Sequence, residues 1–240
     1  MADTPTRSLN WDVAVPKSPG RFGWSLLRSP ILVLVRTGIL GGTFDPIHIA
    51  HLHAGETALH QADLDRVLFI PAGDPWQKLA RRVSATVDRL EMVRLGTAGV
   101  DGFWVDDREA KRDGLTYTVD TLTTFPDDEE LFLILGADAA LHIPTWERHR
   151  EVLDRATVLV APRPGTDSTA VAAVLPDAVF LDMAVLEVSG TEIRAMAGNG
   201  SPFRFLVTDE VHRYIGENNL YAEGAGADSV EDPTDMEEPS

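Results

Sequence analysis

The chain has 240 residues, 44% of them hydrophobic, which suits one large or two small domains with a sizeable core. A formal charge of −17 disfavours a general nucleic-acid binder, and the absence of cysteine excludes disulfides and thiolate metal sites. No run approaches the roughly 20 apolar residues that a membrane-spanning helix needs. We therefore expect a cytoplasmic protein with neither a nucleic-acid nor a membrane partner.

The two ends of the chain differ from the rest in composition. Residues 1–36 are rich in Pro, Arg and Ser without sustained periodicity, which predicts a flexible N-terminal extension. A secretory signal is disfavoured because the apolar run at 31–35 is short, follows a proline and lacks a small-residue cleavage site. Residues 223–240 carry seven acidic and no basic residues, which predicts an acidic disordered tail.

From residue 37 onward, strand-like and helix-like segments alternate. Short apolar runs bounded by turn residues are typical of strands buried on both faces, and they lie at residues 37–40, 67–70, 103–105, 131–135, 157–160 and 178–181. Helices are predicted at residues 49–61, 87–97, 118–125, 146–154, 168–175, 191–197 and 208–217. This alternation indicates an α/β fold with a doubly wound, mainly parallel sheet. Ligands bind such sheets beyond the carboxyl ends of the strands, so the loops there are the candidate sites.

The segment "GGTFDPIHIAH", residues 41–51, follows the first predicted strand. Gly41 and Gly42 remove two side chains, so a ligand phosphate can approach the backbone. The helix that begins next would direct its first amides at an anion. His48 and His51 are three residues apart and share one helical face, where imidazoles can stabilise charge during phosphoryl or nucleotidyl transfer.

Other interpretations of this segment are weaker. Two glycines after a strand are often only a tight turn, and two histidines at this spacing can belong to a metal site. No third ligand of the right type stands nearby in the sequence, so we predict no metal site. A Walker-type loop is excluded because no Gly-Lys-Ser/Thr sequence follows.

A second segment, "VSGTEIRAM" at residues 188–196, predicts another helix start that can bind an anion. Ser189 and Glu192 have the spacing of a capping box. Thr191 and Arg194 fall near the first turn, where a hydroxyl and a bidentate cation would add to the free amides. An ordinary capped helix with a solvated arginine is the alternative, and it is the more common outcome for such a segment alone.

Together, the two segments resemble the two signature motifs of the HxGH-type nucleotidyltransferases, most closely those of the nicotinate-nucleotide adenylyltransferases. Further stretches are similar to that family in the same order, namely "FIPAGDPWQK", "REAKRDGLTYTVDTL", "LILGADAALHIPTWERHREVLDRATVLVAPRPG" and "TDEVHRYIGENNLY". The resemblance covers residues 37–222, which are therefore predicted to be the nucleotidyltransferase domain. It also implies the Rossmann-like fold of that superfamily.

Three positions depart from the family pattern. Ala50 stands where the HxGH motif has glycine, which bears on how the helix start packs. Gly190 stands where the family usually has a second serine, which removes one hydroxyl that could contact phosphate. "PWQK" replaces the more common "PPHK" but keeps the lysine, Lys78.

The resemblance implies that the adenylyl group of ATP is transferred to nicotinate mononucleotide, giving nicotinate adenine dinucleotide and pyrophosphate. The mononucleotide phosphate would attack the α-phosphorus in line, so catalysis would consist of positioning and charge stabilisation. His48, His51 and Arg194 are the implied catalytic residues, in contact with the ATP phosphates. Mg²⁺ would arrive on ATP and keep most of its waters.

The same resemblance implies two sets of binding residues. Asp138 would accept from ribose hydroxyls, Trp146 would stack on the pyridine ring, and Thr118 with nearby amides would receive the nicotinate carboxylate. A helix cap is the alternative for Asp138, and a buried aromatic is the alternative for Trp146. The implied ATP-binding residues are Gly41, Gly42, Thr43, Phe44, Gly136, Asp138, Ser189 and Thr191. The implied mononucleotide-binding residues are Asp45, Trp76, Lys78, Thr118, Trp146 and Arg163.

Two alternative functions stay open at this point. One is an adenylyltransferase for another phosphate acceptor, nicotinamide mononucleotide or phosphopantetheine, although the "TYTVDTL", "GAD" and "PTW" blocks argue against the pantetheine substrate. The other is a non-catalytic nucleotide-binding regulator, against which the intact His48, His51 and Arg194 argue. The sequence leaves the oligomeric state open, and a homo-oligomer is compatible with it.

Overall fold

The computed structural model describes residues 34–73 and 83–222. The strands within these ranges are β1 (Val35–Gly42), β2 (Arg66–Pro71), β3 (Phe103–Val105), β4 (Glu129–Gly136), β5 (Ala156–Ala161) and β6 (Val179–Phe180). The α-helices there are α1 (Ile49–Gln61), α2 (Thr86–Thr97), α3 (Thr118–Leu122), α4 (Ala137–Leu141), α5 (His149–Arg155), α6 (Ser168–Val174), α7 (Gly190–Asn199) and α8 (Asp209–Glu217). The described strands form one parallel sheet in the order β3-β2-β1-β4-β5-β6.

This topology confirms the predicted α/β fold with a doubly wound parallel sheet. Successive side chains of β2 enter different layers, because neighbouring residues of a strand point to opposite faces. Phe69 packs with Met92 and Val211 in one buried cluster, while Ile70 packs with Leu122 in the other. The strand order reverses between β1 and β4, so a ligand crevice is expected at the carboxyl ends of these two strands.

Most predicted elements occur close to their expected positions. All six predicted strands are present in the described residues, and α1 has the predicted bounds. β1 begins at Val35, two residues before the predicted start of the domain, because its first residues pair with the start of β4. Arg36 adds a 2.5 Å ion pair between its Nη1 and Oε2 of Glu130. The rest of the predicted extension up to residue 33, and the predicted tail at 223–240, lie outside the described residues.

The connection between β4 and β5 differs from the prediction. Ala137 starts α4 directly after β4, where the sequence predicted no helix. The helix predicted at 146–154 was wrong at its start, since α5 begins only at His149. Arg148 adopts the left-handed backbone conformation, with φ 48°, and so separates α5 from the preceding turn. Trp146 instead ends a 3₁₀ turn in an extended conformation.

Candidate active site

A cavity of about 520 Å³ opens at the carboxyl ends of β1, β4 and β5. It lies beside the reversal of strand order, where ligands bind in doubly wound sheets. Nine of the predicted site residues line this cavity, and they are Gly41, Gly42, Thr43, His51, Thr118, Gly136, Asp138, Trp146 and Arg163. One wall thus joins residues from both predicted binding sets.

Six of the remaining predicted residues are described by the structure but do not lie on the cavity wall. Among the described residues, those predicted for the site but absent from the wall are Phe44, Asp45, His48, Ser189, Thr191 and Arg194. Trp76 and Lys78 lie outside the described residues. The six described residues lie in the first loop, residues 43–48 between β1 and α1, or near the start of α7.

The first loop turns sharply after β1 and buries Phe44. This residue has a left-handed backbone, with φ 49°, and its side chain is only 2% exposed. Its ring meets the ring of His51 edge-on at 5.0 Å, and it lies 3.3 Å from where a Cβ on Gly42 would stand. The phenyl group therefore belongs to the core, so only the backbone of Phe44 could make the predicted contact with ATP.

His48 and His51 form a stacked pair at the start of α1. His48 is the N-cap residue, and the centroids of the two rings are 3.7 Å apart with an interplanar angle of 26°. The backbone N–H of His48 donates to Nδ1 of His51 at 3.3 Å. His51 lines the cavity, whereas His48 is 2% exposed and is not among the residues of the cavity wall. The two rings are neighbours as the spacing predicted, although His48 precedes the first turn of α1 and has an extended backbone.

The environment of His48 keeps its ring neutral. Burial, followed by the positive charge of Arg163, lowers the pKa of His48 from 6.5 to about 3. Nδ1 of His48 is buried and has no hydrogen-bond partner among the described residues. A neutral imidazole offers one donor and one acceptor, so the ring can still donate one hydrogen bond to a phosphate oxygen.

Helix α7 begins with the predicted capping box. The hydroxyl of Ser189 accepts from the backbone N–H of Glu192 at 3.2 Å, and the backbone N–H of Ser189 donates to the Glu192 carboxylate at 3.1 Å. Arg194 points back to the first loop, where its Nη1 donates to the carbonyl oxygen of Asp45 at 2.6 Å. Nη2 of Arg194 lies 3.3 Å from the hydroxyl of Thr191. The two motifs, far apart in sequence, are thus in direct contact.

Gly190 allows this contact between the two motifs. A Cβ at this position would stand 2.7 Å from the carbonyl oxygen of Asp45 and 3.3 Å from Nη1 of Arg194. The first distance is shorter than the van der Waals contact of a carbon and an oxygen, so a side chain at this position would force the backbone at Asp45 to move. The departure from the family pattern at Gly190 therefore has a structural reason in this chain.

Asp45 serves inside the fold rather than on the cavity wall. Its side chain is 4% exposed, and it accepts from the Tyr221 hydroxyl at 2.7 Å and from the Ser84 backbone N–H at 3.2 Å. The guanidinium of Arg194 lies 3.8 Å from the same carboxylate. Burial and the nearby negative charge of Asp45 raise the pKa of Tyr221 well above its usual range. The buried position of the Asp45 carboxylate therefore does not support the predicted contact of Asp45 with the mononucleotide.

Asp138 and Arg163 form an ion pair on the cavity wall. Nε of Arg163 lies 3.7 Å from Oδ1 of Asp138, whose side chain is 66% exposed. A Cβ on Gly136 would stand 2.6 Å from that carboxylate and 2.9 Å from Nε of Arg163. Glycine at the end of β4 thus lets both charged groups lie against the backbone, where ribose or phosphate oxygens can reach them.

Sequence reasoning missed two charged residues near the cavity. Arg89 is 1% exposed and hydrogen-bonded to the first loop. Glu109 lines the cavity and accepts from the Thr121 hydroxyl at 2.6 Å, and its burial raises the pKa of its carboxyl. Glu109 lies in a block that was matched to the family without a role, whereas Arg89 has no local signal that separates it from a solvated helix residue.

Two features of the described residues bear on metals and membranes. Residues 34–73 and 83–222 contain no group of three or more His, Asp or Glu side chains placed to hold a metal ion. In the same ranges, no helix has the length and apolar character that crossing a membrane requires.

The fold and this site define a nucleotidyltransferase of the cytidylyltransferase-like class. The model of the family described as "Cytidylyltransferase-like" matches residues 39–196, which include the first loop, the cavity wall and the start of α7. Solved structures have the same fold. A nicotinic acid mononucleotide adenylyltransferase of Plasmodium falciparum, complexed with NaAD, matches with a TM-score of 0.67 and 17% identity, over 78% of this chain and 97% of that one.

Curated relatives define the family more narrowly. A protein of Frankia casuarinae named "Probable nicotinate-nucleotide adenylyltransferase" is 44% identical over an alignment of 187 positions, and the match covers 76% of this chain and 98% of the relative. A protein of a Geobacter species with the same name is 39% identical over an alignment of 215 positions, and the match covers 79% of this chain and 99% of the relative. The chain belongs to the family of nicotinate-nucleotide adenylyltransferases.

Proposed function

We propose that the chain transfers the adenylyl group of ATP to nicotinate mononucleotide, giving nicotinate adenine dinucleotide and pyrophosphate. The observation that carries this proposal is the contact between the two phosphate-binding motifs beside one cavity. Arg194 of α7 bonds to the first loop, and the stacked pair of His48 and His51 lies where that loop meets α1. Trp146 and Thr118 line the cavity. There the indole ring can stack on the pyridine ring of the mononucleotide, and the Thr118 hydroxyl can donate to its carboxylate.

The proposed reaction needs no protein nucleophile. A phosphate oxygen of the mononucleotide attacks the α-phosphorus of ATP, while the bond from that phosphorus to the bridging oxygen of the β-phosphate breaks and pyrophosphate leaves. The protein contributes positioning and stabilisation of the developing charge. Neutral His48 donates to an α-phosphate oxygen, His51 supports the same phosphates from the cavity wall, and Arg194 neutralises the β- and γ-phosphates.

The remaining residues are proposed to hold the substrates. Gly41 and Gly42 at the end of β1, and Thr43 directly after it, receive the ATP phosphates together with the amides after Ser189 and with Thr191. Asp138, in the first turn of α4 after Gly136, accepts from a ribose. Trp146 stacks on the pyridine ring. Arg163 forms an ion pair with a phosphate once its ion pair with Asp138 is broken. Trp76 and Lys78 keep their predicted contacts with the mononucleotide.

Magnesium is proposed to arrive as part of Mg-ATP. The ion keeps several waters and is commonly held by one or two carboxylates together with substrate phosphates. The exposed carboxylate of Asp138 on the cavity wall fits a contact with such a water. The metal would neutralise charge on the triphosphate, in addition to the part played by Arg194.

The domain limits belong to the same proposal. We expect the activity to reside in residues 37–222 together with the start of β1 at Val35, and the extension and the acidic tail to be dispensable. The cytoplasmic location and the absence of nucleic-acid and membrane partners stay predictions, and the oligomeric state stays open.

The proposed function is tested with the purified full chain and Mg-ATP. Nicotinate mononucleotide, nicotinamide mononucleotide and phosphopantetheine are supplied in turn, and pyrophosphate release is followed. We expect turnover with nicotinate mononucleotide, and its absence would refute the proposal. Release with another acceptor alone would identify the alternative adenylyltransferase, and nucleotide binding without any release would identify a regulator.

The role of His48 is tested in the same assay. His48→Ala removes one donor to the transferring phosphate, and we expect kcat to fall on the order of 10²-fold to 10³-fold. His60, exposed in the last turn of α1, supplies the matched control, since His60→Ala changes the same helix away from the cavity. Near-normal turnover of His48→Ala would remove this residue from the mechanism.

A further inference from the structure

Arg89 in the first turns of α2 is a charged side chain for which the proposed reaction has no role. Only 1% of it is exposed. Removing a guanidinium from water is costly unless its N–H groups find acceptors, so such a residue needs a dense set of partners. The structure supplies five hydrogen bonds from this one group to carbonyl and hydroxyl oxygens.

One nitrogen of Arg89 joins the ends of two strands. Nη1 donates to the carbonyl oxygens of both Thr43, at 2.9 Å, and Ala72, at 2.8 Å. Thr43 follows β1 and Ala72 follows β2, and both residues line the cavity. The backbone N–H of Ala72 also donates to the carbonyl oxygen of Gly42 at 2.9 Å. Arg89 therefore fixes the wall on which the ATP phosphates are proposed to lie.

The other nitrogens of Arg89 bond to backbone outside the cavity wall, and one of these partners packs against the acceptor side. Nη2 donates to the carbonyl oxygen of Gly73 at 2.8 Å, and Nε donates to that of Ser84 at 3.0 Å. Gly73 packs so closely against the segment after β3 that a Cβ there would stand 2.6 Å from the carbonyl oxygen of Glu109 and 3.4 Å from the Thr116 hydroxyl. Both of these residues line the cavity near Thr118.

We propose that Arg89 is a positioning residue that sets the distance between the ATP wall at Thr43 and the acceptor wall at Glu109 and Thr116, against which Gly73 packs. This inference rests on the proposed function, because only a reaction between two bound substrates needs both walls in register. An in-line attack is sensitive to such alignment, and a displacement of about 1 Å costs on the order of 10²-fold in rate.

Lysine cannot replace the guanidinium in this position. Arginine offers five N–H donors in a fixed planar fork, whereas lysine offers three from a single nitrogen. Arg89→Lys keeps the charge and most of the apolar stem but loses the simultaneous bonds to Thr43 and Gly73. The variant therefore separates alignment of the two walls from the presence of a positive charge.

The test compares Arg89→Lys with Arg94→Lys in the full-length chain. Arg94 lies on the same helix, is half exposed, and pairs with Glu91 and Asp107. For Arg89→Lys we expect kcat to fall on the order of 10²-fold, while KM for each substrate changes less than about threefold. Arg94→Lys is expected to match the wild type in all three constants.

Protein folding is measured in the same samples by near-UV circular dichroism and size exclusion. A folded Arg89→Lys variant with unchanged kcat overturns the proposal, and so does a loss of turnover that equals the loss of folded protein. A rise of KM alone, with kcat intact, also overturns it, since that would indicate lost binding rather than lost alignment.

Thr86→Val decides the question if Arg89→Lys does not fold. This nearly isosteric change removes the hydroxyl that accepts from Nη2 of Arg89 at 2.9 Å and leaves the other four bonds in place. We expect a folded protein with kcat reduced by roughly threefold to tenfold, and an unchanged kcat would overturn the proposal. If the wild type releases no pyrophosphate with nicotinate mononucleotide, the proposed function fails first and this inference falls with it.

Discussion

The hydroxyl of Tyr221 provides a sharp test of how the first loop is held. It donates to Oδ1 of Asp45 at 2.7 Å, and the Asp45 side chain is only 4% exposed. Tyr221→Phe removes this donor without changing the size of the ring. The other oxygen of Asp45 keeps its bond from Ser84 and its proximity to Arg194, so the carboxylate loses one of its partners.

The expected cost follows from the charge and burial of the acceptor. A hydrogen bond to a charged group contributes about 1.5 to 3 kcal/mol, and the partners that remain place Tyr221→Phe near 2 kcal/mol. In a domain of this size, about 1 kcal/mol corresponds to roughly 2 to 4 °C in Tm, so we expect a decrease of about 4 to 8 °C.

Thermal and urea unfolding of the full chain measure this effect. Tyr214→Phe is the matched control, because the Tyr214 hydroxyl donates to Asp88 at 2.9 Å in a more exposed position. We expect the control to lose about 1 kcal/mol or less, and the slope m of urea unfolding to stay constant in both variants. Equal losses in the two variants would refute the view that Tyr221 anchors Asp45.

Three further predictions concern the site itself. Because folded His48 has its pKa lowered to about 3, its stabilising effect is complete above pH 6.5 and is lost as the pH falls towards 3. Between pH 6.5 and 3, the free energy of unfolding of the wild type should fall by up to about 1.4 kcal/mol per pH unit more than that of His48→Gln. The same dependence of the unfolding free energy on pH in both proteins would contradict the burial of the ring. Trp146→Ala should raise KM for the mononucleotide roughly tenfold, the equivalent of about 1.4 kcal/mol, with kcat little changed; an unaltered KM would remove Trp146 from the pocket. Gly190→Ser places a Cβ 2.7 Å from the carbonyl oxygen of Asp45, and its displacement of Arg194 should lower kcat by about tenfold or more; normal turnover would show that the loop adjusts.

Much of the fold could be predicted because its signals are local. Strands buried on both faces appear as short apolar runs, and α1 begins directly after His48 and ends at the predicted Gln61. The start of α5 could not be predicted, since the left-handed conformation of Arg148 leaves no mark in the residue types around it. The sequence also gave no reason to end the preceding turn at Trp146.

The site was predictable only where residues act close to their own element. Glycines at the end of β1 and histidines at the start of α1 form a local pattern, and His51 lines the cavity as that pattern predicted. The carboxylate of Asp45 depends on partners 39 and 176 residues away, at Ser84 and Tyr221. Arg89 depends in the same way on loops that only the folded sheet brings together. Such long-range contacts follow from the topology of the sheet, so they could not be predicted from a local sequence motif.

Direct detection of the dinucleotide product tests the central claim. The full chain is incubated with Mg-ATP labelled at the α-phosphate and with equal amounts of nicotinate and nicotinamide mononucleotide, and the products are separated by chromatography. We predict that the label moves into nicotinate adenine dinucleotide, with one pyrophosphate released for each molecule formed. Label that stays in ATP, or that appears only in another adenylylated acceptor, would contradict the proposed activity.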